Sequence, residues 1–135
     1  MIILDCSAAV HMARKTIEGE ALRMLILEGE TIVSSELLYI ESASAFGRYV
    51  RAGSLDEETA LRYLRAAVAL VERYVPIHEN YLEAHHESLR LNHSVYDMLY
   101  LTLARRNAAT LITFDKKLRE LCEQQGVDCI HFVGY

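Results

Sequence analysis

The chain has 135 residues, 52% of them hydrophobic, with six glycines, one proline and a formal net charge of -5 at pH 7. That size and apolar content describe one compact, helix-rich domain with a sizeable core and argue against a long disordered tail. No apolar run reaches the roughly 18 residues of a membrane span, and Met1-Ile2-Ile3-Leu4-Asp5 lacks the basic region of a signal peptide, so the expected compartment is the cytoplasm.

In chain order, Ile2 to Leu4 is a short apolar run without alternation, the pattern of a strand covered on both faces. Residues Ser7 to Gly29 hold one or two helices. Thr31 to Ser34 reads as the second strand, and Ser35 to Arg51 as a helix with Leu38, Ser42, Ala45 and Tyr49 on one face, stopping at Gly53. Ser54-Leu55-Asp56-Glu57 has the form of a capping box, opening a helix expected to run to about Arg73. Tyr74 to Ile77 is the third strand, and helices are predicted over Glu79 to Leu91 and Ser94 to Asn107. Thr110 to Phe114, a helix from Asp115 to Gln125 closed by Gly126, and Asp128 to Phe132 complete the pattern. Strands alternating with helices predict a mostly parallel sheet flanked by helices, formed by residues 1–135 as a single domain.

Four carboxylates stand out against that frame. Asp5 and Asp115 each follow a predicted strand, where open α/β sheets form their ligand crevice. Glu41 lies beside the apolar stripe of its helix, and Asp97 sits inside Val95-Tyr96-Asp97-Met98-Leu99-Tyr100-Leu101. An ionised carboxylate removed from water without a partner costs several kcal/mol, so four in one small chain point to a shared compensating charge, most simply one or two divalent cations. Two dications would also bring the net charge from -5 to about -1, which removes part of the conflict between an acidic chain and a nucleic-acid partner. Each residue has a plainer reading as well. Asp5 and Asp115 suit helix N-caps, Asp97 is the third helical position after Ser94, and Glu41 can pair with Arg48 or face water. Cys6, Cys122 and Cys129 are odd in number and lack C-x-x-C spacing, which argues against a disulfide framework or a zinc site.

Ile3-Leu4-Asp5-Cys6-Ser7, the segment Ser35 to Glu41, the segment Ser94 to Ala104, and Leu111-Ile112-Thr113-Phe114-Asp115-Lys116-Lys117-Leu118 together resemble the PIN-domain ribonucleases, most of all the VapC toxin subunit of VapBC toxin-antitoxin modules. The resemblance spans essentially the whole chain, with all four acids in the expected order. Ser35 stands where many relatives have proline. The likeness implies a PIN-like three-layer α/β sandwich with a five-stranded sheet. It also implies an endoribonuclease in which Asp5, Glu41, Asp97 and Asp115 hold Mg²⁺ or Mn²⁺, directly or through water. Ser7 and Thr113 would orient Asp5 and Asp115, although Ser7 also reads as a cap. Lys116, Lys117 and Arg14 or Lys15 are candidates for RNA phosphate contact, with solvated surface charge as the plainer reading. The implied partners are an RNA substrate, a cognate antitoxin and a second copy in a homodimer.

His85, His86 and His93 are set aside as ligands, because hard cations seldom need imidazole. Tyr96 and Tyr100 are both expected in the core. A phosphatase of the haloacid-dehalogenase type would want an Asp where Ser7 stands, and a receiver domain lacks its central phosphoacceptor. The serious rival is a PIN-like binding module without activity. A last expectation concerns the helix from Ser54: its polar Arg62, Arg65, Glu72 and Arg73 leave most of the circumference apolar, so a face around Tyr63, Ala67 and Leu70 is expected to meet another chain.

Overall fold

The computed structural model of the chain describes residues 1–26 and 28–130. Strands β1 (Ile2–Leu4), β2 (Ile32–Ser35), β3 (Arg73–Val75), β4 (Thr110–Ile112) and β5 (Cys129–Ile130) form one sheet in the order β3-β2-β1-β4-β5. Every strand pair is parallel, with Ile3 of β1 opposite both Val33 and Leu111. Ile3, Leu4, Val33, Leu111 and Ile112 are all buried, which is why these runs lack a polar face.

Helices α1 (Cys6–Ala13), α2 (Ile17–Leu25), α3 (Leu37–Arg51) and α4 (Glu57–Ala69) connect β1 to β2 and β2 to β3. A 3-10 turn at Ile77–Glu79, α5 (Tyr81–Arg90) and α6 (Val95–Arg106) connect β3 to β4, and α7 (Lys116–Gln125) precedes β5. The first two connections move along the sheet one way from β1 and the last two move the other way. Right-handed crossovers therefore put α1–α4 on one face and α5–α7 on the opposite one, giving three layers. α6 packs against β1, β2 and β4 and against α5 and α7. It is the helix buried nearly all round, without interruption from Met98 to Ala104.

Several boundaries differ from the expected ones. The helix expected from Ser54 is capped by Asp56, whose side chain accepts from the Thr59 N–H, and it ends at Ala69; Arg73 already belongs to β3. The third strand starts and ends earlier than Tyr74 to Ile77, and Ile77 enters the 3-10 turn that follows Pro76. The fourth strand stops at Ile112, and of the fifth, His131 and Phe132 lie outside the described residues. Ser35 supports the start of α3 in its own way, its hydroxyl accepting from the Leu37 N–H at 3.2 Å where Glu36 provides no side-chain cap. Gly126 closes α7 in the left-handed region at φ 69°, a conformation that costs glycine little.

The expected free face of α4 needs correction. α4 lies against α1 and α3. Ala67 is fully buried, and Tyr63 and Leu70 are half-buried against the domain's own core. The large apolar side chain that α4 leaves exposed is Leu61, at 46%.

Candidate active site

The sheet order reverses at β1 and β4, and the carboxyl ends of these two neighbouring strands start the site. Asp5 leaves β1 in extended conformation and caps α1, its Oδ1 accepting from the Ala8 N–H at 2.9 Å and from the Ser7 hydroxyl at 2.7 Å. Oδ2 accepts a very short hydrogen bond from the Thr113 hydroxyl. Asp115 repeats the arrangement one strand away, capping α7 through the Leu118 N–H at 3.0 Å. The two junctions are tied together by hydroxyls. Ser7 Oγ accepts from the Phe114 N–H at 2.9 Å, and Thr113 Oγ1 accepts from the Asp115 N–H at 3.0 Å. Capping does not compete with a site role, because a cap fixes a carboxylate that a ligand site would need held still.

Glu41 and Asp97 enter from helices on opposite faces of the sheet. Tyr100, 1% exposed, donates its hydroxyl to Glu41 Oε1 at 2.7 Å, linking α6 to α3. His93 Nε2 lies 2.7 Å from Asp97 Oδ2, joined across the start of α6, where Ser94 caps the Tyr96 N–H.

The electrostatics show that the four acids share one field. Burial pushes the Asp5 carboxyl from its ordinary 3.8 up to about 7, against three hydrogen bonds that favour the charge, and Asp97 adds to the rise. Burial also raises Glu41, opposed by the Tyr100 hydrogen bond and by the charge of Arg48 and reinforced by Asp97. Asp97 is raised by burial and by Asp115, with His93 opposing. Elsewhere the chain pairs its partly buried carboxylates with arginine: Glu83 meets Arg105 and Arg106, each at 2.6 Å, and Glu87 meets Arg90 at 2.6 Å. Among the described residues, no lysine or arginine lies within ion-pair distance of the four acids, and only Asp97 has a partner, His93.

This donor set fits a hard divalent cation. It is all oxygen, and the hydrogen bonds among the described residues use only Oε1 of Glu41, Oδ2 of Asp97 and Oδ1 of Asp115, leaving each a second oxygen. No three His, Cys, Asp or Glu side chains among the described residues already stand close enough to enclose an ion. Mg²⁺ retains several of its own waters, so an ion held here would be reached in part through water.

The other expected residues divide. Lys116 and Lys117 are exposed in the first turn of α7, directly after Asp115. Arg14 caps the far end of α1, about 13 Å along the helix from Asp5 at 1.5 Å per residue, and its guanidinium binds the Tyr49 hydroxyl at 3.0 Å and stacks over that ring. Two residues set aside on sequence grounds touch the acids: His93, whose signal was its four-residue spacing from Asp97, and Tyr100, whose hydroxyl had no partner visible in the sequence. Tyr100 is core as expected, but Tyr96 is 57% exposed.

A family model described as PIN domain matches residues 2–124. Solved structures share the fold. PAE2754 from Pyrobaculum aerophilum has a TM-score of 0.71 at 20% identity, over 95% of this chain and 89% of that one. VapBC2 from Rickettsia felis, solved bound to a DNA fragment of its promoter, gives 0.70 at 17% identity over 98% and 100%. VapC20 from Mycobacterium tuberculosis, a toxin that cleaves the sarcin-ricin loop, gives 0.63 at 15% over 90% and 95%. No curated protein sequence matches the chain.

Proposed function

Because this chain belongs to the PIN-domain family, we propose that it is a metal-dependent endoribonuclease, the toxin of a toxin-antitoxin pair, with Asp5, Glu41, Asp97 and Asp115 holding Mg²⁺ or Mn²⁺. What supports this reading is the burial of Asp5, 4% exposed, beside acids that have no lysine or arginine within ion-pair distance among the described residues. Glu83 and Glu87, by contrast, are each paired with arginine.

A bound divalent ion supplies Lewis-acid stabilisation of the phosphate and a nucleophile at neutral pH. The chain's own groups do the positioning. Thr113, Ser7 and the Ala8 N–H hold both oxygens of Asp5, Tyr100 holds one oxygen of Glu41, and His93 one of Asp97. Lys116 and Lys117 would meet phosphates flanking the cut. The partners proposed are RNA, an antitoxin and a second copy, for which exposed Ile77, Tyr81, Leu82 and Leu89 on the α5 side offer apolar surface. Among the described residues no helix is long and apolar enough to cross a membrane.

The deciding experiment incubates purified protein with single-stranded RNA in Mg²⁺, Mn²⁺ or chelator and maps the products. Metal-dependent internal cuts are expected, absent in Asp97→Asn. RNA bound but never cut under any metal would replace this reading by that of a silent binding module.

A further inference from the structure

Glu41 faces a second neighbourhood besides the other acids. It lines a recess of about 270 Å³ together with Cys6, Ile40, Ser44, Arg48 and Tyr96. Cys6 follows Asp5 in the chain, Tyr96 precedes Asp97, and Glu41 is itself an acid of the site. The segments that aim three of the four carboxylates therefore also wall the recess, and anything seated in it is adjacent to whatever the acids act on.

We propose that this recess holds one nucleobase of single-stranded RNA beside the bond to be cut, with Tyr96 as the stacking surface. The inference rests on the ribonuclease reading above. Three features favour a base. Tyr96 keeps its ring in water at 57% exposure, one helical turn from the fully buried Tyr100, and its backbone is fixed by the Ser94 hydroxyl at 3.2 Å. The wall chemistry is divided as a base requires. Ile40 and Cys6 offer apolar contact to a ring. Glu41, Ser44 and Arg48 offer an acceptor, a hydroxyl and a guanidinium to its edge, with Arg48 Nη1 donating to Ser44 Oγ at 3.0 Å. Size is the third feature: about 270 Å³ lies below the usual range for a drug-sized ligand, so it suits a single ring system. The neighbouring recess of about 370 Å³, which Tyr96 also lines together with Ile77, Tyr81, Leu82, His85 and Val95, is mostly apolar and offers a base edge far less.

Two measurements test this. In the first, wild type, Tyr96→Ala and Tyr96→Phe cut a randomised single-stranded RNA pool and the products are sequenced. Wild type and Tyr96→Phe are expected to show a base preference at one position flanking the cut. Tyr96→Ala should lose it, with kcat/KM down roughly fivefold to about 150-fold, mainly through KM, the range that base–aromatic stacking of about 1 to 3 kcal/mol spans. In the second, Asp97→Asn protein binds a labelled RNA hexamer, with and without one abasic position, by fluorescence anisotropy. One abasic position should weaken binding by the same factor, and adding Tyr96→Ala should erase that difference. Binding with no effect of any abasic position, or wild-type cleavage unchanged by Tyr96→Ala, overturns the base site and, where wild type cuts, leaves the ribonuclease reading standing. Base-dependent binding without cleavage supports the base site and removes the ribonuclease reading. RNA binding that ignores Tyr96→Ala while light scattering or antitoxin-peptide binding responds to it overturns the proposal and assigns the recess to protein.

Discussion

Asp5→Asn isolates the electrostatic tension of the site. A carboxyl whose pKa is higher in the folded chain than in the unfolded one retains a proton that the unfolded chain has released. Folding stability from this group therefore falls as pH rises from about 4 to about 7, and it is level above that. At about 1.4 kcal/mol per pH unit, the interval from 3.8 to about 7 amounts to roughly 4 kcal/mol at pH 8. Asparagine avoids that penalty and keeps an oxygen for the Ala8 N–H and the Ser7 hydroxyl. Its amide, however, forces the Thr113 hydroxyl to accept where it now donates, which takes back about 1 kcal/mol. The metal-free variant should thus be about 3 kcal/mol more stable than wild type at pH 8 and no more stable at pH 4.5. Urea unfolding followed by circular dichroism, in chelator, across that range measures the difference curve; groups of opposite sign, such as Glu83 and Glu87, whose pKa values lie low, are common to both proteins. Parallel curves for the two proteins, or a gap that widens toward acid, would show that Asp5 is not held against its charge.

Other substitutions probe the same construction. Asp97→Asn should end cleavage yet leave metal-free stability equal or higher, because an amide oxygen still serves His93; unfolding of the variant would make Asp97 a structural cap instead. Thr113→Val keeps the shape but strips Asp5 Oδ2 of its donor, so a loss of about 1 to 3 kcal/mol is expected at pH 8, with weaker Mg²⁺ binding by titration calorimetry. Gly19→Ala tests the packing of α2 on α1: a Cβ there would clash with the His11 carbonyl, and the variant should lose about 1 to 3 kcal/mol of stability, read as a lower thermal midpoint. An unchanged melting curve would mean that the two helices separate freely.

The sequence by itself carried the strand and helix order and the position of Asp5 and Asp115 at strand ends, because those rest on local signals. Short unbroken apolar runs mark strands buried on both faces, and an Asp after such a run is both a cap and a residue at the crevice edge. The same local reading misjudged α4, since an apolar circumference says only that contacts exist and not that they come from outside the chain; α1 and α3 supply them. Tyr96 and Tyr100 show the limit most directly. They are four residues apart on one helix, so pattern alone treats them alike, yet α6 carries Tyr100 into the layer against α3 and leaves Tyr96 in its first turn at the edge. The state of Asp5 belongs wholly to tertiary structure. Its partner Thr113 is 108 residues away, and its raised pKa comes from the exclusion of water by packed layers and from the charge of Asp97, neither of which a sequence spacing encodes.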